Sequence, residues 1–312
     1  MAEGTSDATL RIGARGSPLA LCQAEWVRDR LVEAHAGLEV ALVAIRTKGD
    51  RILDAPLSRI GGKGLFTREI ERALLDGDID VAVHSLKDLP TALPEGLTLG
   101  AVCEREDPRD ALVSKGADSL AALPQGAAVA TGSLRRRAQL LHARPDLRVI
   151  DVRGNVGTRL GKFDASDWDA MVMARAGLAR LGLLDRIACV IGQEELLPAV
   201  SQGALGVEIR GEDAATARLV AVLDHSPTRL ATRAERSFLH GLGGGCQVPA
   251  AALATVEGKR LRLDGLVASL DGEKLVRQEI EGGAGDAEAL GAELSERLLE
   301  AGAGSILESI RI

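Results

Sequence analysis

Along the first two thirds of the chain, short apolar runs alternate with stretches in which apolar residues recur every three or four positions. The runs at 9–12, 40–45, 79–83, 127–130, 147–152 and 170–173 read as strands. After the first of them, Ala20, Ala24, Val27 and Leu31 keep helical spacing and form one apolar stripe, with Ser17 as N-cap and Pro18 in the first turn. The stretches 65–75 and 134–142 read as further helices, the second capped by Ser133. Strands alternating with helices predict open α/β sheets. In such sheets ligands bind in the loops beyond the carboxyl ends of the strands. The pattern changes near the C-terminus. A helix at 227–240 precedes three consecutive strands at 250–254, 261–268 and 275–280, with Asp271-Gly272 in a turn, and a helix at 287–301 closes the chain. That last segment reads as a small α+β unit.

Composition narrows the picture. At 312 residues there is room for two or three domains. Hydrophobic residues make up 46% and aromatics only 2%, with no tyrosine, so the cores are expected to be aliphatic. A net charge of −7 argues against a general nucleic-acid binder, and so few aromatics leave little for base stacking. The cysteines Cys22, Cys103, Cys189 and Cys246 are widely spaced with no CxxC, so neither a metal site nor a redox pair is expected. Residues 1–7 are polar, without the apolar core of a signal peptide, and no apolar run is long enough to span a membrane. The expectation is a soluble protein of the reducing cytoplasm.

The chemistry gathers at strand ends. Arg15 and Ser17 follow the first strand, Lys63 lies in Gly61-Gly62-Lys63-Gly64, and His84-Ser85-Leu86-Lys87-Asp88 follows the strand at 79–83. Thr131-Gly132-Ser133-Leu134-Arg135-Arg136-Arg137 and Arg153-Gly154-Asn155-Val156-Gly157-Thr158-Arg159 follow two more. Helix N-termini add unpaired N–H groups at such loops, and arginine forks match carboxylates two bonds at a time. The sum predicts a cleft for a small ligand with several negative groups. Asp88 stands out among these cations as a group able to stabilise a passing positive charge or relay protons. Each cluster has a plain rival: an arginine run is usually a solvated helix face, as expected for Arg137, and His84 reads better as a buried strand-end residue than as a base. Cys246 is different. It follows Gly243-Gly244-Gly245 and precedes Gln247-Val248-Pro249, a thiol presented on an open loop rather than packed in an apolar element.

Six motifs in order resemble those of the porphobilinogen deaminases, or hydroxymethylbilane synthases, of tetrapyrrole and heme biosynthesis. They are Arg15-Gly16-Ser17-Pro18-Leu19-Ala20, Gly61-Gly62-Lys63-Gly64-Leu65-Phe66, the His84–Asp88 run, Arg105-Glu106-Asp107-Pro108-Arg109-Asp110, the Arg153–Arg159 run and Gly243–Pro249. The resemblance extends from about Leu10 to the C-terminus. It implies two α/β lobes like those of periplasmic solute-binding proteins, with open mixed sheets, and a small C-terminal α+β domain. The implied division is 1–103 with 204–221, then 104–203, then 222–312. The implied activity is a transferase that joins four porphobilinogen molecules head to tail, releases ammonia at each addition, and frees the linear tetrapyrrole hydroxymethylbilane. The implied primer is a dipyrromethane held by a thioether to Cys246.

By the same resemblance Asp88 is the catalytic carboxylate, placed against pyrrole nitrogens. Lys87, Ser133, Arg135 and Arg136 hold cofactor carboxylates. Arg15, Ser17, Arg153, Arg159, Lys63, Phe66 and Gln202 serve substrate or growing chain, and a monomer without nucleic-acid or membrane partners is expected. Three positions depart from the family's usual pattern: Gly132 and Ser201, where serine and glycine are common, and Arg175, where a small residue is common and an added cation near the cleft is expected. Two other readings compete. A non-catalytic binding protein for a small polyanion needs no exposed thiol, and a cysteine hydrolase built on Cys246 and His240 has no motif for the third, orienting group.

Overall fold

The structure is a computed structural model that describes residues 9–51, 64–244 and 248–310. Lys63 and Cys246 therefore lie outside the described residues. The chain opens with β1 (Leu10–Arg15), α1 (Pro18–Ala34), β2 (Val40–Ile45), α2 (Lys48–Arg51), α3 (Arg68–Leu75), β3 (Val81–Ser85) and β4 (Leu97–Val102). It continues through β5 (Asp110–Ser114), β6 (Ala128–Ala130), α4 (Leu134–Ala143), β7 (Arg148–Ile150), α5 (Val156–Asp164), β8 (Ala170–Ala174), α6 (Arg175–Arg180) and β9 (Cys189–Val190). It then enters β10 (Leu205–Arg210) and α7 (Ala214–Val220). The rest is α8 (Ser226–Gly241), β11 (Ala250–Glu257), β12 (Arg260–Ala268), β13 (Leu275–Gly283), α9 (Ala287–Leu298) and α10 (Gly304–Ile310).

These strands make two five-stranded sheets and one of three strands. The first runs β2-β1-β3-β10-β4, with β1 parallel to β2 and β3, and β10 antiparallel to both neighbours. The second runs β7-β6-β8-β5-β9 and repeats that arrangement, with β5 as the antiparallel fourth strand. The repeat has a topological cause. The chain leaves the first sheet from its edge strand β4 and enters the second as β5. It leaves the second from edge strand β9 and returns to the first as β10. Each lobe thus takes its antiparallel strand from a crossing, and both crossings meet at the mouth between the sheets. The third sheet is wholly antiparallel, β11-β12-β13.

Burial explains the elements. In α1 the inward face is Ala20, Gln23, Ala24, Val27 and Leu31, the stripe read from the spacing with one polar addition. In β3 the residues Val81 to His84 are all buried, as expected where helices cover both faces of a sheet. The aliphatic expectation holds: Phe163 and Phe238 are the only aromatic side chains among the described buried core. Leu197 and Ala138 of the second lobe pack with Ala251, Leu253, Leu266 and Ala268, so the C-terminal sheet is docked on α4 through apolar surface.

Three elements differ from the periodicity. The helix expected at 65–75 starts at Arg68, because Gly64 (φ 80°) turns the chain and its carbonyl accepts from the N–H groups of Thr67 and Arg68. The strand expected at 147–152 is only β7, an edge strand, which frees residues 151–155 to face the space between the lobes. The helix expected at 287–301 ends at Leu298 in a wider turn, where Gly302 (φ 107°) reorients the chain into α10.

Candidate active site

Between the lobes lies a cleft of about 710 Å³, floored by the carboxyl ends of β1, β3, β6, β7 and β8 and by the second crossing. From the first lobe, Arg15 ends β1 and Ser17 caps α1, its hydroxyl accepting from the Ala20 N–H at 3.3 Å. The Arg15 guanidinium lies 4.2 Å from the centroid of the Phe66 ring, a cation–π contact. Phe66 in turn fills the space over Gly49, where a Cβ would stand 2.2 Å from the ring. After β3 the chain makes a tight turn over Leu86–Asp88, pinned by the fully buried Leu86. Behind it His84 is buried 3.2 Å from Glu208, the structural role expected of it. The turn sets Lys87 and Asp88 into the cleft. Burial pushes the Lys87 ammonium down to about 8, against the pull of Asp88, with Arg136 adding to the fall. Its Nζ donates to Gln202 Oε1 at 3.3 Å.

Gln202 relays that contact inward. Its amide donates to Pro108 O and to Asp110 Oδ1, both at 2.7 Å. Burial acts to raise the Asp110 carboxyl, but the guanidinium groups of Arg135 and Arg136 overrule it and hold the group well below the usual carboxylate range. Arg136 binds Asp110 Oδ1 at 2.7 Å and Val172 O at 3.1 Å while lining the cleft. Arg135 binds Asp110 Oδ2 at 2.8 Å and Leu197 O at 2.6 Å, and is not among the lining residues. The two neighbours thus divide, one facing the cleft and one buried behind it. Arg137 is exposed, as expected, and donates to Val149 O and to Leu270 O of the C-terminal unit.

The second lobe supplies three more loops. Ser133 caps α4. At Gly132, a Cβ would stand 2.6 Å from Val152 O, so a serine there requires the end of β7 to move. Gly154 (φ 122°) turns the chain into α5, which Asn155 caps by accepting from Thr158 N–H at 2.8 Å. Arg159 donates to Gly154 O at 2.7 Å, and burial, reinforced by Arg136, lowers it to about 10 against Asp88. Arg153 lines the cleft with a buried Nη1 that has no hydrogen-bond partner.

Of the residues expected at the site, Arg15, Ser17, Phe66, Lys87, Asp88, Ser133, Arg136, Arg153, Arg159 and Gln202 line one cleft. Arg135 does not. Arg175 does not either; Glu106 at 2.7 Å and Asp107 at 3.5 Å draw it to the first crossing, so the expected extra cation is spent on an ion pair. Residues not anticipated there are Arg46, Asp151 and Arg180, the last donating to Gly203 O at 2.5 Å. Arg46 and Asp151 follow β2 and β7, so the strand-end rule that found Arg15 applies to them too. Arg180 closes a helix and carries no such signal.

Among the described residues the cleft is lined by seven cations against two carboxylates, Asp88 and Asp151. Unpartnered guanidinium nitrogens on Arg136 and Arg153 await acceptors. The arrangement suits a small molecule with several carboxylates, held around an acidic group. On the near side of Cys246, Gly244 N–H donates to Leu239 O at 3.0 Å, and a Cβ on Gly244 would approach Val248 at 3.4 Å. His240, the rival partner for that thiol, has its Nδ1 3.4 Å from Thr91 Oγ1.

Residues 10–218 match the family model described as porphobilinogen deaminase, dipyromethane cofactor binding domain, and residues 229–300 match the porphobilinogen deaminase C-terminal domain. The porphobilinogen deaminase of Pelotomaculum thermopropionicum is 56% identical over 302 residues, covering 97% of this chain and 97% of that one. That of Syntrophotalea carbinolica is 54% identical over 307 residues, covering 98% of each. A solved methionine-binding protein, MetQ, overlaps 68% of this chain and 88% of its own, at 16% identity and a TM-score of 0.45.

Proposed function

The chain belongs to the porphobilinogen deaminase family, and from that premise we propose how its own residues carry the family's reaction. The enzyme is a transferase of tetrapyrrole biosynthesis that polymerises porphobilinogen into hydroxymethylbilane, with a dipyrromethane cofactor. Four substrate units are joined head to tail, with ammonia lost at each addition. The three sheets support a division into 1–103 with 204–221, 104–203 and 222–312.

The residues present suit the cofactor. A dipyrromethane carries acetate and propionate arms, and the guanidinium nitrogens of Arg136 and Arg153 are buried without acceptors in a predominantly cationic cleft. Lys87, Ser133 and Arg136 are the groups assigned to those arms, with Arg135 acting from behind by fixing Asp110 and so Arg136. Cys246 is the assigned attachment point. When bound, the group would supply the nucleophilic pyrrole carbon to which the first unit is added.

Arg15, Ser17, Arg153 and Arg159 are assigned to the carboxylates of incoming substrate and growing chain, and Lys63 and Phe66 to substrate binding as well. Gln202 orients Lys87 and ties it to Asp110. Asp88 accepts the pyrrole N–H and stabilises the positive charge left on the substrate when ammonia departs. Lys87 is its neighbour in the chain, and Arg159 lies within electrostatic reach of it. No helix among the described residues is long and apolar enough to cross a membrane. A cytoplasmic location is part of the proposal. A monomer that binds neither nucleic acid nor membrane is proposed with it.

The observation that carries this assignment is the Asp88 carboxylate standing inside a cleft lined by seven cations. The test is stoichiometry. Purified enzyme given porphobilinogen should release four ammonia molecules per hydroxymethylbilane, and Asp88→Ala should load cofactor poorly and turn over hardly at all. Near-normal turnover by that variant would show the acid to be another residue.

A further inference from the structure

Porphobilinogen is not only a dianion. It also carries a primary ammonium on the carbon that will form the new bond, and a cleft lined by seven cations repels that group unless a carboxylate faces it. Among the described lining residues only Asp88 and Asp151 can do so. Asp88 is assigned to the ring nitrogens. We propose that Asp151 is the binding residue for the substrate's ammonium, an inference that rests on the family reading above.

Several observations support it. Asp151 follows β7, the edge strand of the second sheet, and lines the cleft as an exposed residue. Unlike Asp80, Asp107, Asp110 and Asp146, each in an ion pair with arginine, its carboxylate makes no hydrogen bond or ion pair among the described residues. It acts electrostatically on Arg159, as Asp88 does, so both carboxylates lie within electrostatic reach of one guanidinium assigned to a substrate arm. The neighbouring strand end leaves it room. A Cβ at Gly132 would stand 3.2 Å from Asp151 Oδ1, and a serine there would bring a hydroxyl against the carboxylate. The departure at Gly132 and the acid at 151 therefore form one local device. A substrate whose arms lie on Arg153 and Arg159 presents its aminomethyl group to Asp151, which fixes the orientation of the carbon–nitrogen bond before it breaks.

The test uses the cofactor-loaded enzyme and two ligands. One is porphobilinogen. The other is its analogue with a neutral hydroxymethyl group in place of the aminomethyl, measured as substrate or as competitive inhibitor. Asp151→Asn should keep the loaded mass, raise KM for porphobilinogen about tenfold and leave the analogue's constant unchanged, and Asp151→Glu should recover most of the affinity. If Asp151 only screens Arg159, removing its charge will tighten both ligands; that result, or equal weakening of both, overturns the proposal. Failure of the family reading looks different, since the unaltered enzyme would then carry no two-pyrrole mass and release no tetrapyrrole.

Discussion

The two lobes share one strand arrangement but carry different side chains at their strand ends. In the second, the guanidinium group of Arg136 is pre-set by Asp110 and a backbone carbonyl, and that of Arg159 by Gly154 O. These cations are fixed before any ligand arrives, so little ordering remains to oppose binding. In the first, the corresponding strand ends carry a carboxylate on a three-residue turn, a lysine of lowered proton affinity and an aromatic ring over an arginine. On the proposed assignments both lobes grip anionic arms, the first through Arg15, Ser17 and Lys87 and the second through Arg136, Arg153 and Arg159, but the first alone carries Asp88, the acid assigned to the developing positive charge. Duplicated topology thus fixes where side chains point, and the identity of a few loop residues decides which chemistry each half performs.

The sharpest way to break this comparison is to neutralise one acid in each lobe. Asp88→Asn should lower kcat by about 10²–10³-fold, the scale for losing one transition-state stabiliser, while the denaturation midpoint stays near the parent's. Asp110→Asn should do the reverse first: it strands Arg135 and Arg136 as buried charges, at a cost of about 3–5 kcal/mol in urea unfolding. If both variants lose activity and stability in the same proportion, the division of labour is wrong.

A smaller effect concerns pH. Lys87 is charged below about 8, so its grip on a carboxylate should fade as pH rises through that value in the free enzyme. Its folded pKa is depressed relative to the unfolded chain. The folded state therefore binds fewer protons between about 8 and the ordinary lysine value, and stability should rise with pH in that window. The alkaline limb of kcat/KM should move upward in Lys87→Arg; an unmoved limb assigns it to another group.

The smallest effect belongs to the crossing that joins the lobes. Ser201 is buried with φ 62°, the left-handed region, and its N–H donates to Glu235 Oε2 at 2.6 Å. Ser201→Gly keeps that bond and should raise stability by about 1 kcal/mol. A loss would mean that the buried hydroxyl has a partner worth more than the strain.

Much of the site was legible because strand ends are legible. Arg15, Ser17, Asp88, Ser133, Arg153 and Arg159 lie in stretches flanked by glycine or serine at or after the ends of apolar runs. What pattern does not convey is rotation and pairing. Arg135 and Arg136 are adjacent and alike in sequence and both reach one buried aspartate, two strands along the sheet from β6, yet only Arg136 also lines the cleft. Glu208 also hid β10, since a fully buried charge interrupts its apolar run, and β5 offers an apolar run of only three residues, Ala111 to Val113. Arg175 was expected near the cleft, but its acidic partners lie in the crossing, 68 to 69 positions earlier and invisible to local spacing.

The claim beneath all of this is that the cleft is organised around a tethered oligopyrrole. The mass of the denatured, intact, active chain tests it directly. The account predicts an excess equal to two pyrrole units, mapped by proteolysis to the peptide containing Cys246 and missing from Cys246→Ser. Fully active protein with the bare polypeptide mass would contradict it.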